Sequence, residues 1–481
     1  MNYNVVLHTL GILLSFLGLS MIFPLSYAFY YQEEAAIYAL LSSIIITILS
    51  GLVLRFTFKN EGGIGRKEGF AVVTLGWIIA AAFGTFPFLF SGTLNNFIDA
   101  YFESMSGFTT TGATVLQSIE DNPLSILFWR NQIQWMGGMG IIMLVVAILP
   151  TLGVGGMQLF KSEVPGPEPD KLKPRIAETA KILYLVYITI STLQIACLYF
   201  TGMSLYDAII HMFGTMATGG FSSKNLSVGH YNNLAFEVII IFFMLIAGTN
   251  FTLLYKVFHG DIKSLFKDRE FIFYIGVVLI SILIIATQLH IYIYKSILSA
   301  LRYASFQVVS IVTTTGFITT DFDQWPALSK SILIILMFIG GCAGSTGGGI
   351  KNIRILILIK KVGREFQKIL HPHAITPIYI GEKRISDEAV STVTSFFLLY
   401  IMIFILGSLI MAGLGLDMVS AMTSVATTLG NVGPGLGLVG PTQNFAFLPS
   451  AGKLFLSFCM LLGRLEIDTV LILLIPEFWK K

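Results

Sequence analysis

The sequence predicts an all-α membrane protein with about ten transmembrane helices, in which four similar repeats surround one pore and two further helices precede them. Three observations lead to this fold class. Of the 481 residues, 55% are hydrophobic and only 12% are charged, about half the charged fraction of a soluble domain. Ten stretches are long and apolar enough to cross a hydrocarbon core about 30 Å thick. One pattern of threonine and glycine recurs four times between these stretches.

The composition also excludes several functional classes. A chain with so few polar side chains could not cover the surface of a water-soluble globule, which excludes cytosolic and secreted enzymes. The 30 Lys and Arg residues against 27 Asp and Glu residues give a net charge of +3, too small for a nucleic-acid binder. No nucleophile–base arrangement and no HExxH motif occurs, so the sequence predicts no enzyme.

The ten apolar stretches define the predicted spans and their orientation. They lie at about 5–30, 36–56, 71–91, 133–152, 181–201, 236–258, 271–290, 328–360, 391–413 and 453–476. The first has no positive start and no cleavage site, so we expect it to remain as a transmembrane helix. Ten crossings place both termini on one side, where 23 Lys and Arg residues lie against six on the other. Because cytoplasmic loops are rich in these residues, both termini are expected in the cytoplasm.

The repeated pattern lies in four segments that are too short to cross a bilayer. Each has an apolar helical part of about a dozen residues, here termed a pore helix, and then a Thr/Gly run, and a full span follows. Counted from Ala100, Ala208, Ala304 and Ala421, the glycines Gly112, Gly219, Gly316 and Gly433 follow after 12, 11, 12 and 12 residues. A fixed period of this kind indicates internal repeats. The chain therefore divides into two N-terminal helices (1–60) and repeats at 70–153, 180–260, 270–362 and 390–477, the third with a broken second helix.

The short segments are the candidate functional site. Non-helical backbone at membrane depth is tolerated only where protein buries it or a watery cavity faces it. Four such segments can meet on one axis, and a ring of their carbonyls can replace the hydration shell of K⁺. Glycine suits such a ring because it adopts backbone angles that a Cβ forbids. The alternative is that four external loops contain Thr/Gly runs by chance. Chance would not explain why an apolar half-span precedes each run and a full span follows it.

On these residues, the chain resembles the Trk/Ktr/HKT superfamily of potassium transporters, and within it the bacterial Trk-type pore-forming membrane subunits. The resemblance covers nearly the whole chain and implies that Gly112, Gly219, Gly316 and Gly433 are the filter glycines. Plant relatives that favour Na⁺ typically carry Ser at the first position, so glycine at all four supports K⁺, with Rb⁺ as a surrogate. The fourth run departs from the Thr pattern. The expected K⁺-binding filter residues are Thr110, Thr111, Gly112, Ala217, Thr218, Gly219, Gly220, Thr314, Thr315, Gly316, Phe317, Asn431, Val432 and Gly433.

The stretch at 328–360 contains a glycine-rich segment that we expect to interrupt its helix. As one helix, 33 residues would extend about 50 Å, which is longer than a bilayer requires. A phosphate-binding loop would need Gly-Lys-Ser/Thr, whereas Gly349 is followed by Ile350-Lys351-Asn352. In the resembling family the corresponding loop is a gate below the filter. The candidate gate residues are Gly341, Gly344, Ser345, Thr346, Gly347, Gly348, Gly349 and Arg464.

Arg464 is a charged residue inside the last apolar stretch. A central arginine costs about 2.5–3.5 kcal/mol on insertion scales, so it should face a cavity or a partner. It lies about as deep as the glycine-rich segment, which predicts a constriction that both form. A salt bridge to Glu466, Asp468 or another internal carboxylate is the alternative. The resemblance places an arginine here on the ion path. At the predicted entrance, Asp99 and Asp207 are either helix caps or attractors of cations, and Glu103 is a further candidate for attracting cations.

The expected partners follow from the resemblance. It implies a homodimer and a cytoplasmic ring of nucleotide-binding regulatory subunits, for which the basic loops at 161–181 and 351–384 are the candidate docking surface. The same charges would also suit a plain solvated flank. The predicted function is potassium uptake across the inner membrane, with no organic cofactor. The alternative is a secondary transporter of a small organic solute, which would also use broken helices.

Overall fold

The computed structural model of the chain describes residues 1–58, 64–140 and 176–480. These residues form α-helices joined by short loops and a few 3₁₀ turns. Within the described ranges, the one sheet is an antiparallel pair of three-residue strands, β1 (Ile378–Ile380) and β2 (Lys383–Ile385). The predicted all-α membrane class is confirmed.

Two N-terminal spans form a tightly packed hairpin. The helix α1 (Tyr3–Ser20) continues with a small break into α2 (Ile22–Tyr30), and α3 (Glu34–Thr57) runs back along it. A Cβ on Gly11 would lie 2.6 Å from the carbonyl oxygen of Gly51, so the two helix backbones approach as closely as small residues allow. The hairpin packs against the helices of the first repeat.

The helices of the four repeats extend a few residues beyond the predicted boundaries. Each repeat has a long helix, a short helix and a second helix that stops early. Repeat 1 comprises α4 (Arg66–Gly84), α5 (Phe86–Phe90), α6 (Phe97–Phe108) and α7 (Leu124–Gly138). Repeat 2 comprises α8 (Ile176–Phe200), α9 (Leu205–Met216), α10 (Leu234–Ala247) and α11 (Phe251–Phe258). After the connecting helix α12 (Lys263–Lys267), repeat 3 comprises α13 (Arg269–Tyr292), α14 (Ile297–Val312), α15 (Ala327–Ile339) and α16 (Asn352–Leu370). Repeat 4 comprises α17 (Asp387–Gly413), α18 (Met418–Leu429), α19 (Ser450–Leu465), α20 (Ile467–Leu471) and α21 (Pro476–Trp479).

The long helices have the character of membrane spans. Among the described residues, six helical segments are long and apolar enough to cross a bilayer: Tyr3–Tyr30, Glu34–Thr57, Lys67–Phe90, Glu178–Phe200, Arg269–Tyr292 and Asp387–Gly413. Their outer faces carry large apolar side chains, and Phe56, Leu279 and Leu409 are each more than half exposed. Such faces are stable against lipid and would be costly against water.

The second helices correct three of the predicted spans. The stretch predicted at 236–258 is two helices, α10 and α11, that meet at 107°. The stretch predicted at 453–476 breaks at Glu466, whose φ of 62° ends α19. The stretch predicted at 133–152 begins earlier, at Leu124, and its part from residue 141 onward lies outside the described residues. The break predicted in 328–360 is present, between α15 and α16. Helix interruption is therefore shared by the second helices of repeats 2, 3 and 4, and is not confined to the glycine-rich one.

The repeats are joined into a closed ring by one recurring contact. The second helix of each repeat packs on the short helix of the next: α7 on α9, α10 on α14, α15 on α18, and α19 back on α6. The last contact brings together elements more than 300 residues apart in sequence. The four short helices are thereby held around a common centre, and most of their side chains are buried.

Candidate functional site

Each short helix ends in a four-residue segment with the same backbone path. We call residues 109–112, 217–220, 313–316 and 430–433 the filter segments. The second residue of each has a φ of 53° to 59°, and the fourth is a glycine with a φ of 72° to 101°. The second residues are Thr110, Thr218, Thr314 and Asn431, and the fourth are Gly112, Gly220, Gly316 and Gly433. In every segment the third residue's N–H donates to the carbonyl five residues earlier, at 2.8 Å. Four segments of different sequence thus share one conformation.

The filter segments close into a ring. A Cβ on Gly112 would overlap the carbonyl oxygen of Gly219 in the next repeat. The same overlap would link Gly220 to Thr315 and Gly316 to Val432, and a Cβ on Gly433 would lie 2.7 Å from the oxygen of Thr111. Each glycine therefore faces the carbonyl that precedes the equivalent glycine of the next repeat, and the fourth faces the first. Only glycine fits at these positions without displacing backbone.

The ring changes the predicted register of the second repeat by one residue. The sequence predicts Gly219 as the equivalent of Gly112, but Gly220 has the positive φ and makes the equivalent approach. Gly219 instead occupies the position of Thr111, Thr315 and Val432. With Gly220, the spacing from Ala208 becomes 12 residues, as in the other repeats. The irregular spacing of 11 was the sequence signal of this shift.

The ring has the chemistry of a cation site. Thr111, Gly219, Thr315 and Val432 present four carbonyl oxygens at equivalent positions. The four short helices end directly at the ring, and a helix C-terminus carries about half a negative charge. Carbonyl oxygens and helix C-termini both favour a cation, and neither needs a titrating side chain.

Side chains around the ring hold it in place. Thr109 and Thr111 are joined through their hydroxyls at 2.8 Å, as are Thr313 and Thr315. The Asn431 amide donates to the Thr111 hydroxyl at 2.9 Å, which ties the fourth filter segment to the first. Phe317, which the sequence analysis placed among the ion-binding residues, is buried behind the ring with its aromatic ring 5.7 Å from that of His211.

The glycine-rich segment, residues 340–351, lies directly against the ring. Gly348 N–H donates to the Thr314 hydroxyl at 2.7 Å, and Thr346 N–H and hydroxyl both donate to the carbonyl of Ala247. Positive φ angles at Gly340, Gly344 and Gly349 fold it into a compact loop. The predicted gate residues Gly341, Ser345 and Gly347 lie in the same loop. The loop therefore lies beneath the ring on its Thr314 side.

One carboxylate holds both ends of this loop. Glu270 at the start of α13 accepts from the backbone N–H of Ala343 at 2.7 Å and of Ile353 at 2.9 Å. Farther along, Lys351 is buried with a φ of 80°, and its ammonium donates to the carbonyl of Gly347. No structural or gating role of Lys351 was predicted from the sequence.

Arg464 bridges the ring and the loop. Its guanidinium donates to the Thr110 hydroxyl at 3.1 Å, to the carbonyl of Thr346 at 2.7 Å, and to the carbonyls of Gly137 and Gly138 at 2.6 and 2.7 Å. The structure thus brings Arg464 and the loop to one level, as the sequence predicted. Glu466, the partner that the salt-bridge alternative names first, instead accepts from Arg354 at 2.6 Å.

Water-sized spaces lie on both sides of the ring. On the loop side is a cavity of about 90 Å³ lined by Trp77, Phe251, Lys351, Arg354 and Arg464 together with loop glycines. On the other side, a vestibule of about 140 Å³ is lined by the four ring glycines and the segments that follow them. The ring therefore lies between two cavities.

Of the three carboxylates predicted at the entrance, two do not cap their helices and the third is buried. Asn96, and not Asp99, caps α6, and Asp99 pairs with Lys453 at 2.6 Å. Ser204, and not Asp207, caps α9. Glu103 is fully buried and pairs with Arg130 at 2.7 Å behind the first filter segment. The prediction that Glu103 attracts cations at the entrance does not fit the structure, because this carboxylate is buried and paired with Arg130.

Sequence reasoning missed the polar residues of α7. Arg130 and Gln134 are both buried, one helical turn apart, against the second filter segment. Arg130 lies outside the predicted span at 133–152 and belongs to the six external charges of the sequence prediction. Polar side chains inside an apolar stretch are the signal that could have revealed them. Among the described residues, no group of three or more His, Cys, Asp or Glu side chains could hold a metal ion, and this includes the pair His371 and His373.

Comparison with known proteins gives consistent matches over the full chain. The sequence profile of the TrkH family, described as cation transport protein, matches residues 36–481. The Trk system potassium uptake protein TrkH of Salmonella typhimurium is 42% identical over 486 residues, which cover all of both chains. TrkG of Escherichia coli K12, also a Trk system potassium uptake protein, is 36% identical over 483 residues, covering 100% of this chain and 99% of TrkG. The crystal structure of the potassium transporter TrkH from Vibrio parahaemolyticus superimposes with a TM-score of 0.90, at 38% identity and with both chains fully covered.

Proposed function

The chain belongs to the TrkH family of cation transport proteins, which are transporters and not enzymes, and from this premise we propose that it takes up potassium ions through the ring of filter segments. The observation that carries the proposal is the closure of the ring, in which each glycine faces a carbonyl of the next repeat. Relatives named as potassium uptake proteins across their full length support K⁺ as the transported ion.

The proposed selectivity comes from backbone oxygens. A K⁺ ion that enters from the vestibule exchanges its water for the carbonyls of Thr111, Gly219, Thr315 and Val432. The helix C-termini behind them stabilise the positive charge. Glycine at all four fourth positions keeps the ring open, which favours K⁺ and its surrogate Rb⁺ over Na⁺.

The glycine loop is the proposed gate. It lies beneath the ring and is fastened by hydrogen bonds from Arg464 to Thr346 and from Gly348 to Thr314. Conduction would require these few bonds to open, while the closed ring of helices stays intact. The charge of Arg464 adds an electrostatic barrier at the same level.

We also propose the location and partners that the charge distribution and the family suggest. The excess of Lys and Arg on one side of the spans supports an inner-membrane protein with both termini in the cytoplasm. A homodimer that works with cytoplasmic nucleotide-binding regulatory subunits fits this arrangement. Of the two basic loops proposed for docking, residues 161–175 lie outside the described residues. The second includes the exposed end of α16 and the strands β1 and β2.

Uptake of radioactive Rb⁺ by potassium-starved cells that lack their own potassium uptake systems tests this function. We expect the chain to restore Rb⁺ uptake, and excess K⁺ to compete with it far better than excess Na⁺. A secondary transporter of an organic solute would leave Rb⁺ uptake at the background level. The variant Gly112→Ser serves as the site control, because it should lose uptake while still inserting in the membrane.

A further inference from the structure

The second filter segment lacks the side chains that support the first and the third. In those segments, threonines at the first and third positions are joined by their hydroxyls at 2.8 Å. In the second segment the corresponding residues are Ala217 and Gly219, which have no hydroxyl. Gly219 is also followed by Gly220, so two adjacent residues of this segment have no side chain to restrict the backbone.

The side chain of Gln134, from α7 of the preceding repeat, fills the vacant space. A Cβ on Gly219 would lie 2.6 to 2.9 Å from three atoms of the Gln134 amide. The amide nitrogen donates to the carbonyl of Gly219 at 2.5 Å, and the amide oxygen accepts from the N–H of Phe221 at 3.0 Å. Gln134 is fully buried. One side chain therefore holds the filter segment on both sides of Gly220.

We propose that Gln134 is a specificity-determining positioning residue, which fixes the Gly219 carbonyl in the ring in place of the missing threonine side chain. The proposal rests on the proposed function of the ring as a K⁺ filter. Because the amide uses its donor and its acceptor at once, it sets the orientation of the segment as well as its distance from α7. A ring that discriminates K⁺ from Na⁺ depends on all four carbonyls, so an unsupported second segment should weaken the preference for K⁺.

The neighbourhood of Gln134 favours this role over simple space filling. Arg130, one turn earlier on α7, donates to the carbonyl of Ser222 at 3.2 Å, and its guanidinium lies 3.5 Å from the centre of the Phe221 ring. Its charge is balanced by Glu103. The face of α7 that carries both residues therefore contacts the chain from Gly219, in the second filter segment, to Ser222, just after it. An apolar side chain at 134 could fill the volume but could bond neither Gly219 nor Phe221.

A compensating pair of substitutions tests the proposal. The purified variants Gln134→Ala, Gly219→Thr and the double variant would be reconstituted in liposomes, and the K⁺/Na⁺ permeability ratio measured for each. We expect Gln134→Ala to lower the ratio about tenfold, because the Gly219 carbonyl and the Phe221 N–H both lose their buried hydrogen bonds to this side chain. Gly219→Thr should lower it also, because the new side chain displaces the Gln134 amide. In the double variant the threonine enters the vacated space, as Thr111 and Thr315 do in their repeats, so its ratio should exceed that of either single variant.

The controls separate this proposal from its premise. Gln134→Met keeps the volume and removes both hydrogen bonds, so it replaces the alanine variant if that variant fails to insert. A Gln134 variant that loses thermal stability but keeps the permeability ratio would overturn the proposal, and so would a double variant with purely additive losses. Gly112→Ser is measured in parallel. If it shifts the ratio while Gln134 variants do not, only the role of Gln134 fails. If Gly112→Ser also leaves the ratio unchanged, the filter assignment itself fails.

Discussion

At the scale of single residues, the four ring glycines are constrained twice, by their backbone angles and by the carbonyl that each one faces. Gly112 has a φ of 81°, and a Cβ there would overlap the backbone oxygen of Gly219. A backbone oxygen held in a ring cannot move aside as a flexible side chain can. We therefore expect Gly112→Ser to displace the Gly219 carbonyl and to reduce the K⁺/Na⁺ permeability ratio by about tenfold or more.

A second glycine provides the matched control for Gly112→Ser. Gly92 lies in an exposed turn and has a similar φ of 75°, but a Cβ there would meet no atom within 4 Å. Gly92→Ser therefore carries the backbone strain without the steric conflict. Ion flux and selectivity of the two variants would be measured in the same liposomes. Equal behaviour of both would show that strain, and not the carbonyl ring, governs the effect at Gly112.

Arg464 acts by its charge, by its hydrogen bonds, or by both, and two substitutions separate these contributions. A positive charge about 6 Å from a K⁺ ion repels it by about 3 kcal/mol at an effective dielectric constant of 20. The carbonyls of Thr346, Gly137 and Gly138 offset part of this repulsion. We expect Arg464→Ala to raise ion flux about tenfold, with little change in selectivity.

The lysine variant decides which contribution dominates. Lysine keeps the charge but cannot reach Thr110, Thr346 and the two glycine carbonyls with one planar group. If charge sets the barrier, Arg464→Lys should conduct as slowly as the unchanged protein. If the bridge to the loop sets it, Arg464→Lys should approach Arg464→Ala. A loss of thermal stability without faster flux in either variant would place Arg464 in the scaffold and remove it from the ion path.

At the scale of elements, the glycine loop is fastened to its surroundings at separate points. Glu270 holds its two ends, and Gly348 contacts the ring through Thr314. Deleting residues 344–348 removes the part beneath the ring and leaves Ala343 and Ile353 bonded to Glu270. We expect basal K⁺ flux to rise while the K⁺/Na⁺ preference is kept, because the ring residues are unchanged.

A single substitution within the loop is the control for the deletion. Ser345→Ala removes one hydroxyl, which bonds within the loop to the carbonyl of Cys342, and leaves the backbone path intact. It should conduct nearly as the unchanged protein does. A deletion variant that inserts properly but conducts no faster would show that the loop is structural and that the gate lies elsewhere.

The sequence anticipated the elements of this site better than their breaks. The short helices and the interruption at residues 340–351 were predicted, because apolar half-spans and clustered glycines leave a plain pattern. The bend after Ala247 and the break at Glu466 were not predicted, because two or three residues within an apolar stretch alter its hydropathy very little. The irregular spacing in the second repeat and the polar residues of α7 were signals of the Gly220 register and of Gln134, but what these residues contact depends on packing between repeats, which the sequence pattern does not specify.

At the scale of the whole molecule, the ring is closed by the contact between the last and the first repeats. The helix α19 packs on α6, and Lys453 donates to Asp99 at 2.6 Å and to the carbonyl of Ala446 at 2.8 Å. The Lys453 side chain is only 7% exposed. Consecutive repeats are joined by the chain itself. The junction between the last and the first repeat has no such covalent link, so noncovalent contacts must hold it.

The closing pair should therefore matter more for stability than other ion pairs of the same type. Removing one partner of a largely buried pair leaves the other charge unbalanced, which costs about 3 kcal/mol before partial exposure of Asp99 reduces it. We expect Lys453→Met to lower the unfolding temperature of the purified protein clearly. Lys330→Met is the matched control, because the Lys330–Asp323 pair is longer, at 3.8 Å, and about one third exposed on both sides. Such a pair contributes roughly 0–1 kcal/mol, so its loss should change the unfolding temperature little.

The double variant Asp99→Lys/Lys453→Asp should recover part of the loss if the pair itself closes the ring. Equal shifts for Lys453→Met and Lys330→Met would show that apolar packing between α19 and α6, without the ion pair, holds the first and last repeats together.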